Sequence, residues 1–165
     1  MRVRTMGITA VAASAVMVIG AAVAMAGKTS ADARLSGYEE VPAISTAGHG
    51  GFSAEIGGGR VRYTLRYDDL EGGDVLFAHI HFGRPATNGG VIAFLCGGGD
   101  KPACPASGTV RGVVDAEDVI GPAAQGIAPG EFRELVRAIR NNAAYVNVHT
   151  EMYGTGEIRG NVIPS

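Results

Sequence analysis

Two of the four histidines, His79 and His81, stand one residue apart in the run FAHIHFG (77–83). In an extended chain alternate side chains share a face. Both imidazoles therefore point the same way, with Cα atoms about 6.5–7 Å apart, close enough to converge on one metal ion. A third, His149, falls near the end of AYVNVHT (144–150), where Tyr145, Asn147 and His149 share one face and Val146 and Val148 the other. Laid side by side, the two segments bring three imidazoles together, a nitrogen-rich set suited to copper or zinc. His49, in the glycine-flanked stretch AGHGG, is a candidate fourth ligand, weighed against a simply solvated loop side chain.

The competing reading of the same histidines is structural. An HxH pair in a strand can hold a loop through hydrogen bonds, with Asn147, Thr150 and Glu151 as the partners such rings need. The neighbouring loop GRPATNGG (83–90) is polar and rich in glycine, which is expected to leave the cluster open at one end.

Other constellations are weaker. Asp68, Asp69, Glu71 and Asp74 form the acidic turn YDDLEGGD, but the EF-hand spacing is absent and a solvated hairpin turn is the expectation. No GxSxG elbow, no GxGxxG turn after a strand and no P-loop occurs, so the sequence carries no signal of a hydrolase, a dinucleotide site or a nucleotide triphosphate site. Cys96 and Cys104, eight positions apart in CGGGDKPAC, are the two cysteines. In an oxidising compartment they read as one disulfide, whose short loop restricts the unfolded chain by about 2.5 kcal/mol in the entropic model. A redox or soft-metal pair is the alternative, without a CxxC spacing to support it.

That compartment is indicated by the first residues. Arg2 and Arg4 precede a run from Met6 to Met25 with no charged side chain, which is the n-region and h-region of a signal peptide. Small-x-small sites at Ala24-Met25-Ala26 and Ala31-Asp32-Ala33 give a signal peptide over residues 1–26, with cleavage as late as 33 as the alternative. A retained membrane anchor is the rival, since about 20 apolar residues span a bilayer, although Gly20 and the many alanines make this run a weak inserter. Once the leader is removed, 12 Lys and Arg face 16 Asp and Glu, a net of −4. A mildly acidic domain is a poor match for nucleic acid, whose phosphates demand clustered cations. A secreted or cell-envelope protein with no membrane attachment after cleavage is expected.

The elements that must position the histidines are mostly strands. Period-2 runs recur between Gly, Asn, Asp and Pro: 51–56, 60–67, 75–82, 91–95, 108–114, 144–149 and 156–163. Gly57-Gly58-Gly59 joins the first two as a hairpin. Residues 129–141, PGEFRELVRAIRN, break the pattern by spacing Phe132, Leu135, Val136 and Ile139 helically, with Glu131 early, Arg137 and Arg140 late and Asn142 as a left-handed cap. The expectation is one all-β domain over residues 35–165, an antiparallel sandwich of seven or eight short strands in two sheets, with one amphipathic helix. Residues 27–34 read as a short linker.

Three runs taken in order, LSGYEEVPAIST (35–46), FAHIHFGRPATNGGVIAFLC (77–96) and AAYVNVHTEMYGTGEIRGNV (143–162), resemble the CHRD family, the domain named from its repeats in chordin. The resemblance covers nearly all of the expected mature chain. It implies an immunoglobulin-like or superoxide-dismutase-like Greek-key β-sandwich outside the cytoplasm, and names a domain rather than an activity. FAHIHFG is also similar to the HxH strand of copper/zinc superoxide dismutases. No histidine lies between His81 and His149 to bridge two metals, so a single mononuclear site is the most that this likeness implies.

Three functions follow in order. The first is a secreted binding module holding copper or zinc through His79, His81 and His149. The second is a metal-free extracellular interaction or structural domain whose partner is another protein, as growth-factor-binding chordin-type proteins imply by analogy. The third, and the least supported by the histidine count, is a dismutase-like oxidoreductase; an enzyme is not the leading reading.

Overall fold

Alternation of apolar and polar side chains decides the strands. The computed structural model describes residues 29–165, and the expected signal peptide lies outside them. Nine strands occur among the described residues: β1 (Thr29–Ser36), β2 (His49–Gly57), β3 (Arg60–Asp68), β4 (Val75–Phe82), β5 (Val91–Cys96), β6 (Gly108–Val114), β7 (Ala144–Thr150), β8 (Ile158–Asn161) and β9 (Ile163–Pro164). One α-helix, α1 (Phe132–Arg140), lies between β6 and β7. In β3, Val61, Tyr63, Leu65 and Tyr67 are buried while Arg60, Arg62 and Arg66 are exposed, which is the pattern of a strand with one wet face.

All pairings are antiparallel, and the strands run β5-β4-β7-β8-β1-β2-β3-β6, with β9 beside β1. The join between β8 and β1 is a single bridge, Ser36 to Arg159, whereas β1 and β2 pair over eight residues. The sheet folds at that join into two layers, β5-β4-β7-β8 and β1-β2-β3-β6, and the expected sandwich is a single sheet wrapped almost closed. Leu35, Phe52 and Leu65 of one layer share a core with Ile80, Ile92, Val146 and Val148 of the other. Tyr63 Oη crosses from β3 to donate to the Leu95 carbonyl of β5 at 2.6 Å. Truncating a fully buried core residue such as Leu65 to Ala would cost about 2–5 kcal/mol.

The β2–β3 hairpin turns through Gly58 and Gly59, at φ 59° and 72°, the left-handed pair that a tight hairpin turn requires. Cys96 and Cys104 form the expected disulfide, closing the loop after β5.

Two expectations are corrected. Residues 29–34, read as part of a linker over 27–34, belong to β1. Ala31, Ala33 and Leu35 alternate inward there, so the small-x-small motif at 31–33 is also a period-2 core pattern written in small residues. The helix is shorter than 129–141, because Gly130 sits at φ 85° and the Glu131 carboxylate caps the Ala128 amide ahead of the first turn. Its far end fits the expectation. Asn142 takes φ 52°, and Asn142 and Ala143 donate back to Ile139 and Ala138, closing a Schellman motif.

Candidate metal centre

β7 is buried along its whole length because both of its faces are covered. Val146 and Val148 enter the core. Tyr145, Asn147 and His149 face outward, beneath loops that return over the layer. β4 pairs with β7 so that His81 lies opposite Tyr145, His79 opposite Asn147 and Phe77 opposite His149. His149 is thus the diagonal neighbour of His79, a distance that imidazole rings can bridge. Register shifts on both strand partners of β4 interrupt the ladder beside Phe77, His79 and His81, as β-bulges do where side chains are re-aimed.

The three histidines converge. One nitrogen from each of His79, His81 and His149 lies within 4.8 Å of the others, and this is the one group of metal-ligating side chains of its kind among the described residues. Main-chain carbonyls orient two of the rings. Nδ1 of His81 donates to the Gly89 carbonyl at 3.0 Å, and Nδ1 of His149 to the Gly154 carbonyl at 3.1 Å. That assignment leaves Nε2 of each ring as a lone pair. His149 Nε2 accepts from His79 Nδ1 at 3.2 Å, while His81 Nε2 is buried with no hydrogen-bond partner. Such carbonyl contacts are the outer partners that ligating histidines ordinarily use.

Aromatic rings wall the cluster. Phe77 lies 4.8 Å from both His79 and His149, and Phe94 lies 4.4 Å from His79. Tyr145 stacks on His81 at 4.7 Å, and the Arg159 guanidinium lies 3.4 Å from the centroid of the Tyr145 ring. Burial holds the rings neutral: His79 is pushed down to about 3, chiefly by desolvation and then by His149 and His81, and His149 to about 4, chiefly by desolvation. His81 is also lowered by burial, against the bond to Gly89.

Behind the rings is a polar layer that sequence reasoning did not find. Arg159, almost wholly buried, donates to the Thr87 carbonyl at 2.6 Å and to Asn88 Oδ1 at 3.2 Å, pinning the loop 83–90. That loop was expected to leave the cluster open; instead it folds over it, with Gly89 on His81 and Asn88 Nδ2 donating to the Val41 carbonyl. Asn147 donates to the Glu40 carboxylate, and Gly156, at φ 130°, leaves the room, since a Cβ there would sit 2.4 Å from Asn147 Nδ2. Desolvation raises the Glu40 carboxyl to about 7 despite the nearby Arg159.

Farther along, Glu157 is fully buried and accepts from the Thr46 and Thr150 hydroxyls and from the Glu71 and Gly72 amides. The run of polar residues in EMYGTGEIRGNV was the available signal, but nothing in it told buried from solvated.

The expected helpers and the fourth ligand are corrected. Asn147, Thr150 and Glu151 do not partner the histidines: they go to Glu40, Glu157 and the Asp74 amide, and main-chain carbonyls serve the rings. His49 stands apart at the start of β2, its side chain 62% exposed and its Nδ1 3.8 Å from the Asp69 carboxylate. It is no part of the three-nitrogen group. The acidic turn forms no ligand group either; Glu71 accepts from the Ala47 amide at 3.1 Å.

A family model described as the CHRD domain matches residues 31–162, from the third residue of β1 to the residue after β8. No curated protein matches the chain.

Proposed function

Given that the chain belongs to the CHRD domain family, whose domains are of an extracellular binding type, we propose that it is an exported module that binds one transition-metal ion, copper or zinc, through His79, His81 and His149. The observation that carries this reading is His81 Nε2. It is a lone pair held in place by the bond from the same ring to Gly89, buried and without a partner, on a ring that converges with the other two. A buried acceptor left unpaired costs about 1–3 kcal/mol, and a metal ion removes that cost. A signal peptide ending at residue 26 fits the fold better than cleavage at 33, which would remove most of the pairing of β1 with β2 and all of its pairing with β9.

The test is titration of the purified protein with Cu(II), Cu(I) and Zn(II), followed by calorimetry and thermal unfolding. One equivalent should bind, with a rise in Tm that His81→Ala abolishes. At a hundredfold excess over Kd the stabilisation is about 2.7 kcal/mol. Failure of any ion to bind stoichiometrically, or binding that survives His79→Ala/His81→Ala, overturns the proposal.

A second reading has one observation in its favour: the 3.2 Å contact between His79 and His149 satisfies two of the rings without a metal. In that case the cluster only fastens the loops at 83–90 and 151–157, and the domain binds a protein partner through exposed loops. The histidine substitutions would then lower Tm equally with and without metal.

A further inference from the structure

The donor set and its surroundings narrow the choice of ion, given the metal-binding reading above. Three features matter. First, all three donors are imidazole nitrogens, and among the described residues no carboxylate or thiolate joins the group. Second, the walls are rings: Phe77 and Phe94 beside His79, Phe77 beside His149, Tyr145 flat against His81. Third, the Arg159 guanidinium lies behind Tyr145 and bears on His81, while the buried carboxyl of Glu40 is tied up by Asn147 and faces the same arginine. Among the described residues, a cation entering this space therefore gains no carboxylate ligand that offsets its charge.

The cost of burying an ion scales with the square of its charge, so a divalent ion pays about four times what a monovalent ion of similar size does. Zn(II) ordinarily completes a tetrahedron, and Cu(II) a tetragonal set of four or more donors. Among the described residues neither finds a fourth His, Cys, Asp or Glu in the group, and the three histidines are themselves only 5–8% exposed. A water in the fourth place would need polar partners, and Phe77 and Phe94 supply none. A monovalent d10 ion is content with three nitrogens in a plane and carries half the charge.

We infer that the centre is a Cu(I) site: it holds monovalent copper on His79, His81 and His149 in three-coordinate geometry, in preference to Cu(II) or Zn(II).

The experiment is a redox titration of the copper-loaded protein, with anaerobic competition by a chromophoric Cu(I) chelator and a parallel Zn(II) titration. The expected result is one Cu(I) per chain, bound at least about 1,000-fold more tightly than Cu(II). At about 59 mV per decade for one electron, that places the potential about 180 mV above the aqueous copper couple. If Cu(II) or Zn(II) binds stoichiometrically and the potential lies at or below that couple, the monovalent preference is overturned while metal binding stands. If no ion binds at one equivalent, metal binding itself falls, and this inference with it.

A second arm tests the cause. Phe94 is half-buried on the edge strand β5, so Phe94→Asp should be accommodated and brings a carboxylate to the His79 side. Zn(II) affinity should rise tenfold or more and the copper potential should drop. No movement in either would overturn the argument from the missing anion.

Discussion

His79 Nδ1 and His149 Nε2 lie 3.2 Å apart across the β4–β7 pair, although the ladder sets Asn147 opposite His79 and Phe77 opposite His149. Two rings that close can share one proton between them but cannot both carry a charge. Their neutrality is therefore part of the fold, and it gives the protein a specific response to acid.

Without metal, stability should fall as pH drops from about 6.5 toward 4. Both rings have folded values below the ordinary 6.5, at about 3 and 4, so in this window the unfolded chain binds protons that the folded chain refuses. Two protons taken up on unfolding by these two rings alone correspond to a slope of about 2.7 kcal/mol per pH unit near pH 5, to which His81 adds and against which Glu40 works. Urea denaturation across pH 4–8 measures it. A flat profile would show that the rings are not held neutral, and His79→Ala/His149→Ala should reduce the slope, leaving the part that His81 contributes.

Glu40 acts in the opposite sense. Its carboxyl is raised from 4.5 to about 7, so the stability it contributes is complete below about 4.5 and is lost as pH rises through 7. Glu40→Gln keeps an oxygen for Asn147 and removes the buried charge. The variant should match the native protein at pH 5 and exceed it by about 1 kcal/mol or more at pH 8. Paired melting curves at the two pH values decide the matter, and equal Tm differences at both would refute it.

Glu157 fastens three segments at once: the loop at Thr46, the turn at Glu71 and Gly72, and β7 at Thr150. Glu157→Ala strands four donors in the interior and should cost about 3–5 kcal/mol. Glu157→Gln, which turns an NH2 toward donors, should cost less, about 1–3 kcal/mol. Shifts in the denaturation midpoint at constant slope would measure both.

Arg159 carries the lid over His81. Lysine cannot reproduce both the stack on Tyr145 and the forked contacts to Thr87 and Asn88, so Arg159→Lys should release the loop 83–90. The amides of Thr87 and Gly89, which bond to the Arg84 carbonyl and the Tyr145 hydroxyl, should exchange with deuterium about tenfold faster or more. The β2 and β3 amides on the other layer should keep their protection, and uniform loss across both layers would mean a global rather than a local effect.

The division between what could be read and what could not follows residue by residue. Val61 to Tyr67 announces a half-buried strand, because each inward side chain is large and each outward one polar. Ala31 and Ala33 bury the same way but are small, so β1 passed for a linker and a cleavage site. FAHIHFG and AYVNVHT gave away the shared faces of His79, His81 and His149, because strand periodicity is a local property of the backbone.

What the sequence by itself determined is the all-β class, the helix with its Asn142 cap, the disulfide and the three histidines as a candidate set. Tertiary structure alone decided that β4 and β7 are neighbours, that His49 stays outside, and that Arg159, Glu40 and Glu157 are buried. The physical reason is that periodicity reports which way a side chain points, whereas pairing and burial depend on which distant segment returns to cover it. The loop 83–90 reads as open and solvated until Arg159, more than seventy residues away, closes it over the three histidines.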